Sequence, residues 1–569
     1  MSNEQQLPDW AEELKARYVS GQASMFLVHG NVRDVQPYTD DTGTIQWYDM
    51  RGFLEKFLGR TRTIVVYYNQ SQGLCFPDRS HEKRFQTAID ARRMMEGEPK
   101  LTAIPRTPTS ALPVIEELIT DPINSSGVIM DFFEMIAPNG DISFMSDQDR
   151  ANLVTLQRWS SDPVFLSTDN LVILLAEHLS EVSRRVVASP QLATIQVPFP
   201  DESLRSLFVS SEDLSTVKMP MDQMAFAKVT AGLSLTQIRS LIRGARQTGD
   251  PIDFRTISRR KKRIIEQECH GLVELVAPDH DFSHVGGLAR IKRDLLRVSD
   301  AVKKGHANQV PMGMIFVGPM GTGKTFVGEA FAAESGLTCL KFKNFREKWV
   351  GSTEANLEKI LDLVDALGYV LLIIDEADRS LSAGESDGGT SSRVIARLKE
   401  FMSDTDHRGR VVILMMTNRP DKLDTDLKRP GRFDVKVPFF FPEEPEEREL
   451  IFKALVRKNK LILAEGVSWE YAVEASEGYS GAELEAILLN AGGIAAEGNR
   501  NVIGQADLDA AAGDVIPSRD THMLQFMELL AVFECSARRM LPDRYKDMAT
   551  DEVQSRLSQL RLLLGRRAG

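Results

Sequence analysis

Gly318-Pro319-Met320-Gly321-Thr322-Gly323-Lys324-Thr325 satisfies the spacing GxxxxGK[ST]. Glycines at this spacing let successive backbone N–H groups turn inward around a phosphate, and a helix opening at the lysine adds positive potential. Lys324 is placed to reach β- and γ-phosphates, and the Thr325 hydroxyl to ligate Mg²⁺. About fifty residues on, the apolar run Tyr369–Ile374 ends in Asp375-Glu376. Asp375 is expected to hold Mg²⁺ through water and Glu376 to polarise an attacking water. Thr417-Asn418 closes a further apolar run, where Asn418 would orient that water or touch the γ-phosphate. Arg429-Pro430-Gly431-Arg432-Phe433-Asp434 offers two planar cations suited to stabilising charge on a neighbour's γ-phosphate. The ligands this set predicts are ATP and Mg²⁺.

Such residues need strands that end beneath them. Met314–Val317, Tyr369–Ile374, Val411–Met416 and Asp434–Pro438 read as buried strands in the second half of the chain. Ile64–Tyr68, Gly127–Met130, Leu171–Leu175 and Thr194–Val197 read the same way in the first. Strands of this kind separated by helices imply parallel sheets covered on both faces. The halves also match each other. Val172–His178 aligns with Val412–Asn418 and Val197–Phe199 with Val437–Phe439, each 240 residues apart. Asp131 aligns with Asp375 at 244, and Ala231–Ser234 with Glu477–Ser480 at 246. Four matches in order at a near-constant offset indicate a duplicated domain.

Asp281-Phe-Ser-His-Val-Gly-Gly287-Leu, the phosphate loop, Asp375-Glu376, Asn418, Arg429–Asp434 and Gly478-Tyr-Ser-Gly-Ala482 together resemble the AAA subfamily of AAA+ ATPases. Valosin-containing protein, katanin, the proteasomal ATPases and FtsH-type ATPases belong to that group. The likeness spans about Asp279 to Val515 and implies a homo-oligomeric ring, a hexamer, acting on a protein substrate or adaptor that the sequence does not identify. It places Val285 and Gly286, with Gly481 and Ala482 of a helical lid, around the adenine, and Phe326 beside the phosphate loop. His284 stands where relatives often carry an acid. Lys348-Trp349-Val350-Gly351 resembles a pore loop that grips a polypeptide, with Ser382–Ser392 as a second pore loop. A worn first half before an intact second half resembles bacterial and plastid AAA proteins with degenerate N-terminal domains. No HExxH zinc motif occurs in this sequence.

The fold expected is α/β: a P-loop NTPase sheet (271–442) with a helical lid (443–517). A degenerate AAA-like domain (1–200) with its own lid and linker (201–270) precedes it, and a helical extension (518–569) follows. In the first half the repeat offset puts the lost phosphate loop after Ile64–Tyr68, at Asn69–Phe76, which has one glycine and no lysine. Phe132 stands for Glu376, His178 for Asn418, and Ser189 and Leu192 for the arginines. The linker Phe254–Ala277, with the basic run Arg259–Arg263, reads as helical. In the extension, Phe526, Leu529, Leu530 and Phe533 form one apolar stripe and Val553, Leu557, Leu560 and Leu564 another.

Composition narrows the function. The 569 residues are 42% hydrophobic and 26% charged with a net charge of −12, unlike a broad duplex binder, so nucleic acid is an unlikely partner. Apolar runs fall short of the ~18–20 residues that span a membrane, and Met1–Tyr18 is too polar for a signal peptide. Cys75, Cys269, Cys339 and Cys535 lack metal-ligand spacing, as expected of free thiols in the cytoplasm. An ATP-hydrolysing remodeller of a protein partner is the leading reading. An ATP-switched binding platform comes second, and a nucleic-acid motor third.

Overall fold

The computed structural model describes residues 7–565 except 141, 190, 216, 270–271, 343–352, 381–389, 430 and 518–519. Two compact units emerge: Met1–Lys261 with Glu354–Ala366, and Lys262–Thr353 with Leu367–Gly569.

The first unit is built on strands β1 (Met25–Gly30), β4 (Ile64–Asn69), β5 (Gly73–Cys75), β6 (Ser126–Met130), β7 (Leu171–Ala176) and β8 (Leu192–Val197). They pair in the order β5-β4-β6-β7-β1-β8, all parallel except β5 against β4. A separate antiparallel ribbon joins β2 (Val35–Thr39) to β3 (Ile45–Asp49). Side chains alternate across a strand, so Met25 and Leu27 enter one apolar cluster while Phe26 and Val28 enter the other. Both faces of the sheet are thus covered. This is why β4 and β7 are apolar almost without interruption and buried throughout.

The second unit repeats the plan. Its strands are β9 (Val273–Val276), β10 (Gly313–Val317), β11 (Thr338–Phe342), β12 (Val370–Ile374), β13 (Val411–Thr417) and β14 (Phe433–Pro438). Their order is β14-β10-β13-β12-β11-β9, parallel except for β9. Five parallel strands therefore share one connectivity in both units, with an antiparallel sixth at the same edge. Lid helices follow each sheet, and they carry a second sign of duplication. Arg205 and Arg448 are both buried in a first lid helix, and each donates to a carbonyl of the next (Ala227, 2.8 Å; Val473, 3.0 Å). Each also reaches back to a proline carbonyl, Pro200 or Pro442.

The topology corrects the expected place of the lost phosphate loop. β10, which carries the loop in the second unit, corresponds to β1, not to Ile64–Tyr68, which corresponds to β11. Gly30 donates to the Glu177 carbonyl (3.1 Å) as Gly318 donates to that of Thr417 (3.4 Å), and 177 and 417 are one repeat apart. The β2–β3 ribbon and extra helical turns lengthen the first half before Asp131, so an offset measured further along the chain does not hold there. The linker is also corrected. A helix ends at Glu268 and Val273–Val276 joins the sheet as β9. Within the basic run, Arg260 and Lys261 donate to the Leu241 and Val229 carbonyls.

The extension forms helices Thr521–Glu534 and Thr550–Gly565. Phe526, Leu529 and Leu530 are buried as expected, but Phe533 is 45% exposed and leaves the stripe. Among the described residues no helix is long and apolar enough to cross a membrane.

Candidate nucleotide site

A cavity of about 1020 Å³ opens at the C-terminal ends of β10, β12 and β13, where parallel sheets present their ligand crevice. The loop from β10 bends at Gly318, whose φ is 154°, and a Cβ there would lie 2.2 Å from the Phe439 carbonyl. No side chain fits. The loop then enters the helix Lys324–Ser335. Met320 to Phe326 all line the cavity, and Met320 is 55% exposed, which fits a position where the backbone does the cradling.

Lys324 is half-buried, and its ammonium donates to the Gly318 and Pro319 carbonyls at 3.0 and 2.7 Å. Burial pulls its pKa down to about 8, against the opposing pull of the Asp375 and Asp378 charges. The Thr325 hydroxyl donates to Asp375 at 3.0 Å, which joins the two oxygens suited to a hard divalent cation. Glu376 lines the same cavity with φ 47°, its N–H donating to Asp375 at 3.0 Å. Asn418 also lines the cavity, and its Oδ1 is buried without a hydrogen-bond partner. A buried orphan acceptor at a cavity wall fits a missing polar ligand. The residues present therefore suit a nucleotide with Mg²⁺.

Val285, Gly286, Gly481 and Ala482 complete the wall. Gly286 has no room for a side chain either: a Cβ would sit 2.5 Å from Ile451 Cα. Ser480 caps the helix Gly481–Glu497 in a capping box with Glu483, and the Ala482 N–H donates to the Gly321 carbonyl at 3.2 Å. His284 turns toward Asp281 at 3.0 Å.

Arg429 and Arg432 do not line the cavity among the described residues; the Arg429 side chain is 73% exposed. Lys348, Trp349, Val350 and Gly351 lie outside the described residues, as does most of Ser382–Ser392. Sequence reasoning missed Lys341, which reaches Asp375 at 3.4 Å from β11. A lysine inside the apolar strand Thr338–Phe342 was the available signal.

In the first unit the same place is filled. Arg33, in the loop after β1, donates to both oxygens of Asp131 at 2.8 and 3.0 Å and to Glu177 at 2.9 Å, with its guanidinium over the Phe132 ring. Asp131 is buried and also accepts from the Tyr67 hydroxyl. The tyrosine's pKa is pushed up by burial and by that carboxylate.

Residues 2–198 match the family described as AAA+ chaperone, N-terminal Rossmann-like domain, and residues 205–270 match AAA+ chaperone, second helical domain. Residues 314–441 match the ATPase family associated with various cellular activities. The chain belongs to the AAA+ ATPases. A Cell division cycle protein 48 homolog of Archaeoglobus fulgidus is 31% identical over 279 residues, covering 47% of this chain and 37% of that protein. The proteasome-activating nucleotidase of Methanocella arvoryzae is 32% identical over 272 residues, 45% of this chain and 63% of its own. The ATP-dependent zinc metalloprotease FtsH 1 of Sphaerobacter thermophilus is 30% identical over 270 residues, 44% and 40%. The chain thus spans less than two thirds of each of these relatives. The fold expected from the sequence, an α/β N-terminal domain with its own helical lid before an AAA P-loop domain, is the one these matches describe.

Proposed function

We propose that this AAA+ protein hydrolyses ATP with Mg²⁺ as a homo-oligomeric ring, a hexamer by family likeness, and uses turnover to remodel a protein partner. The observation that carries this reading is one cavity that gathers Lys324, Thr325, Asp375, Glu376 and the orphan Asn418 while leaving Arg429 outside and exposed. Lys324 and the loop backbone hold the phosphates, Glu376 takes a proton from water, and Asn418 orients that water. Thr325 and Asp375 would hold Mg²⁺, which when bound offsets phosphate charge. Arg429 and Arg432 act on the site of a neighbouring subunit, where an arginine is typically worth about 10³–10⁵ in rate. Lys348–Gly351 serve as the polypeptide-gripping loop. The cytoplasm is the proposed compartment.

Mixing tests the central point. Arg432→Ala and Lys324→Ala subunits, each inactive alone, should regain turnover together, because the second supplies arginines to intact sites of the first. Specific activity of the natural protein should rise with concentration as rings form. A monomer with full activity defeats the reading. Loss of partner-stimulated turnover in Trp349→Ala separates a remodeller from an ATP-switched platform, in which ATP alone governs partner binding.

A further inference from the structure

Around the turn that bears Arg429 and Arg432, Arg432 donates to the Asp426 carbonyl at 3.0 Å, Arg429 pairs with Asp426 at 3.1 Å, and the Gly431 N–H donates to Asp434 at 2.6 Å. Lys399 pairs with Asp424 and Asp426 at 3.0 and 3.6 Å, and Arg408 lies 3.8 Å from Asp434. The residues that flank the two arginines are fixed by the C-terminal extension. Glu534, the last residue of the helix Thr521–Glu534, has a side chain only 10% exposed. Its carboxylate accepts from Lys428, which immediately precedes Arg429, and lies 3.3 Å from Lys436 on β14, just beyond Arg432. One carboxylate therefore staples both legs of the turn. Lys428 also donates to the Pro420 carbonyl at 3.1 Å, two residues from Asn418. Ser536 continues the seam, its N–H donating to the Lys436 carbonyl (3.2 Å) and its hydroxyl accepting from the Lys436 N–H (2.8 Å).

The same extension grips the other side of Asn418. Arg419 forms a two-point pair with Asp421 at 3.0 Å and lies over the Phe526 ring at 5.1 Å. Arg561 approaches Asp421 at 3.6 Å. The segment between Asn418 and β14 is thus clamped by charges and a ring from the C-terminal helices.

We propose that Glu534 is a positioning residue for hydrolysis: by fixing Lys428 and Lys436 it sets the reach of Arg429 and Arg432 toward the next subunit's nucleotide. The inference rests on the trans-acting reading of those arginines. Loss of the carboxylate leaves two half-buried ammonium groups side by side and lets the turn swing. A misplacement of about 1 Å can cost on the order of 10²-fold in rate. Among the described residues Glu534 does not line the nucleotide cavity, so nucleotide affinity is expected to be independent of it.

Glu534→Ala and the shape-preserving Glu534→Gln, made in the full chain, should lower kcat by about 10–100-fold while binding of a fluorescent ADP analogue stays within about twofold. Unchanged binding also reports an intact fold. Mixing Glu534→Ala with Lys324→Ala should restore turnover, as for Arg432→Ala with Lys324→Ala, because sound fingers again face sound sites. Unchanged kcat in both Glu534 variants overturns the proposal. So does a defect that Lys324→Ala subunits fail to repair when they do repair Arg432→Ala. Failure to repair either removes the trans reading itself, and this inference with it.

Discussion

In the second half of this chain a half-buried lysine, a hydroxyl–carboxylate pair and an amide with an orphan oxygen line a cavity. In the first half the corresponding end of a six-stranded sheet of the same connectivity is filled by the protein's own side chains. Arg33 occupies the loop after β1 and neutralises Asp131, the counterpart of Asp375. The next residue, Asp34, is 2% exposed and accepts from the N–H groups of Leu235 and Thr236 at 2.7 and 2.8 Å and from the Thr236 hydroxyl at 2.8 Å. Leu235 and Thr236 open a lid helix and stand where Gly481 and Ala482 stand in the second half, where the partner is only the Gly321 carbonyl. A cation and an anion of the chain thus do in the first half what a magnesium nucleotide is proposed to do in the second. Loss of the glycine loop would leave a buried carboxylate and first-turn N–H groups that the Ser234–Gln237 capping box does not satisfy, and neither is tolerable without a partner.

The turn after Asp131 retains its shape although its chemistry is gone. Phe132 and Glu376 are both left-handed, at φ 54° and 47°, a conformation that costs a non-glycine residue about 1–2 kcal/mol. Each is held by its N–H donating to the preceding aspartate, at 2.8 and 3.0 Å. In Glu376 it holds the carboxylate proposed as general base at the cavity wall. In Phe132 it presents a ring to the Arg33 guanidinium at 4.0 Å.

Nucleotide stoichiometry gives the largest test of this contrast. Calorimetric titration with ADP should find one site per chain in the natural protein and in Glu376→Gln, and none in Lys324→Ala. Turnover in Glu376→Gln should fall by at least about 10²-fold. Two sites per chain would show that the filled half opens.

Next in size is Asp34→Ala. A buried donor left without a partner costs about 1–3 kcal/mol, and this change strands the one at buried Leu235 while those of exposed Thr236 turn to water, for a loss of about 2–3 kcal/mol. Hydrogen exchange on the full chain should show the helix Leu235–Thr248 losing protection while Gly481–Glu497 keeps its own. Equal protection before and after would deny Asp34 its clamping role.

Arg33→Met should cost less, about 2 kcal/mol, because the arginine side chain is 36% exposed and solvent screens part of the pair. Adding Asp131→Asn should recover part of that loss in urea denaturation. A double variant worse than the single would place the role of Arg33 elsewhere.

These two residues also mark what the sequence could not convey. The proposed catalytic set was legible because its spacing is local and its residue types are few. The strands β4, β6 and β7 were legible because burial on both faces leaves them almost wholly apolar. Met25–Gly30 is just as buried but is followed by no glycine loop, and the inserted ribbon breaks the offset that would have located it. The partners of Arg33 and Asp34 lie 98 and about 200 residues away along the chain, so only the folded topology brings them together. Phe533 fitted the helical period of its neighbours, yet its turn faces solvent at the helix end.

The smallest effect expected separates the two cations. Arginine stays charged at any pH a protein survives, whereas half-buried Lys324, its pKa pulled down to about 8 by desolvation, holds its proton only below that pH when no nucleotide is present. Phosphates bound beside it would raise that value again, so binding must take up a proton wherever the pH exceeds about 8. ATP's terminal phosphate is already ionised in this range. Affinity should therefore fall as pH rises, by about tenfold between pH 7 and 9, the equivalent of one pKa unit. Stability of the nucleotide-free fold runs the other way. The unfolded chain binds the lysine proton more tightly than the folded one between about 8 and 10.4, so this group favours folding increasingly as pH rises through that window. A titration series from pH 7 to 9.5, paired with urea midpoints, checks both signs. Affinity flat across the series would mean that Lys324 keeps its proton in the empty site. A parallel fall in affinity and stability would trace the effect to alkaline unfolding instead. Arg33, whose pKa is raised in spite of its burial by the Asp131 and Glu177 carboxylates, should give neither trend.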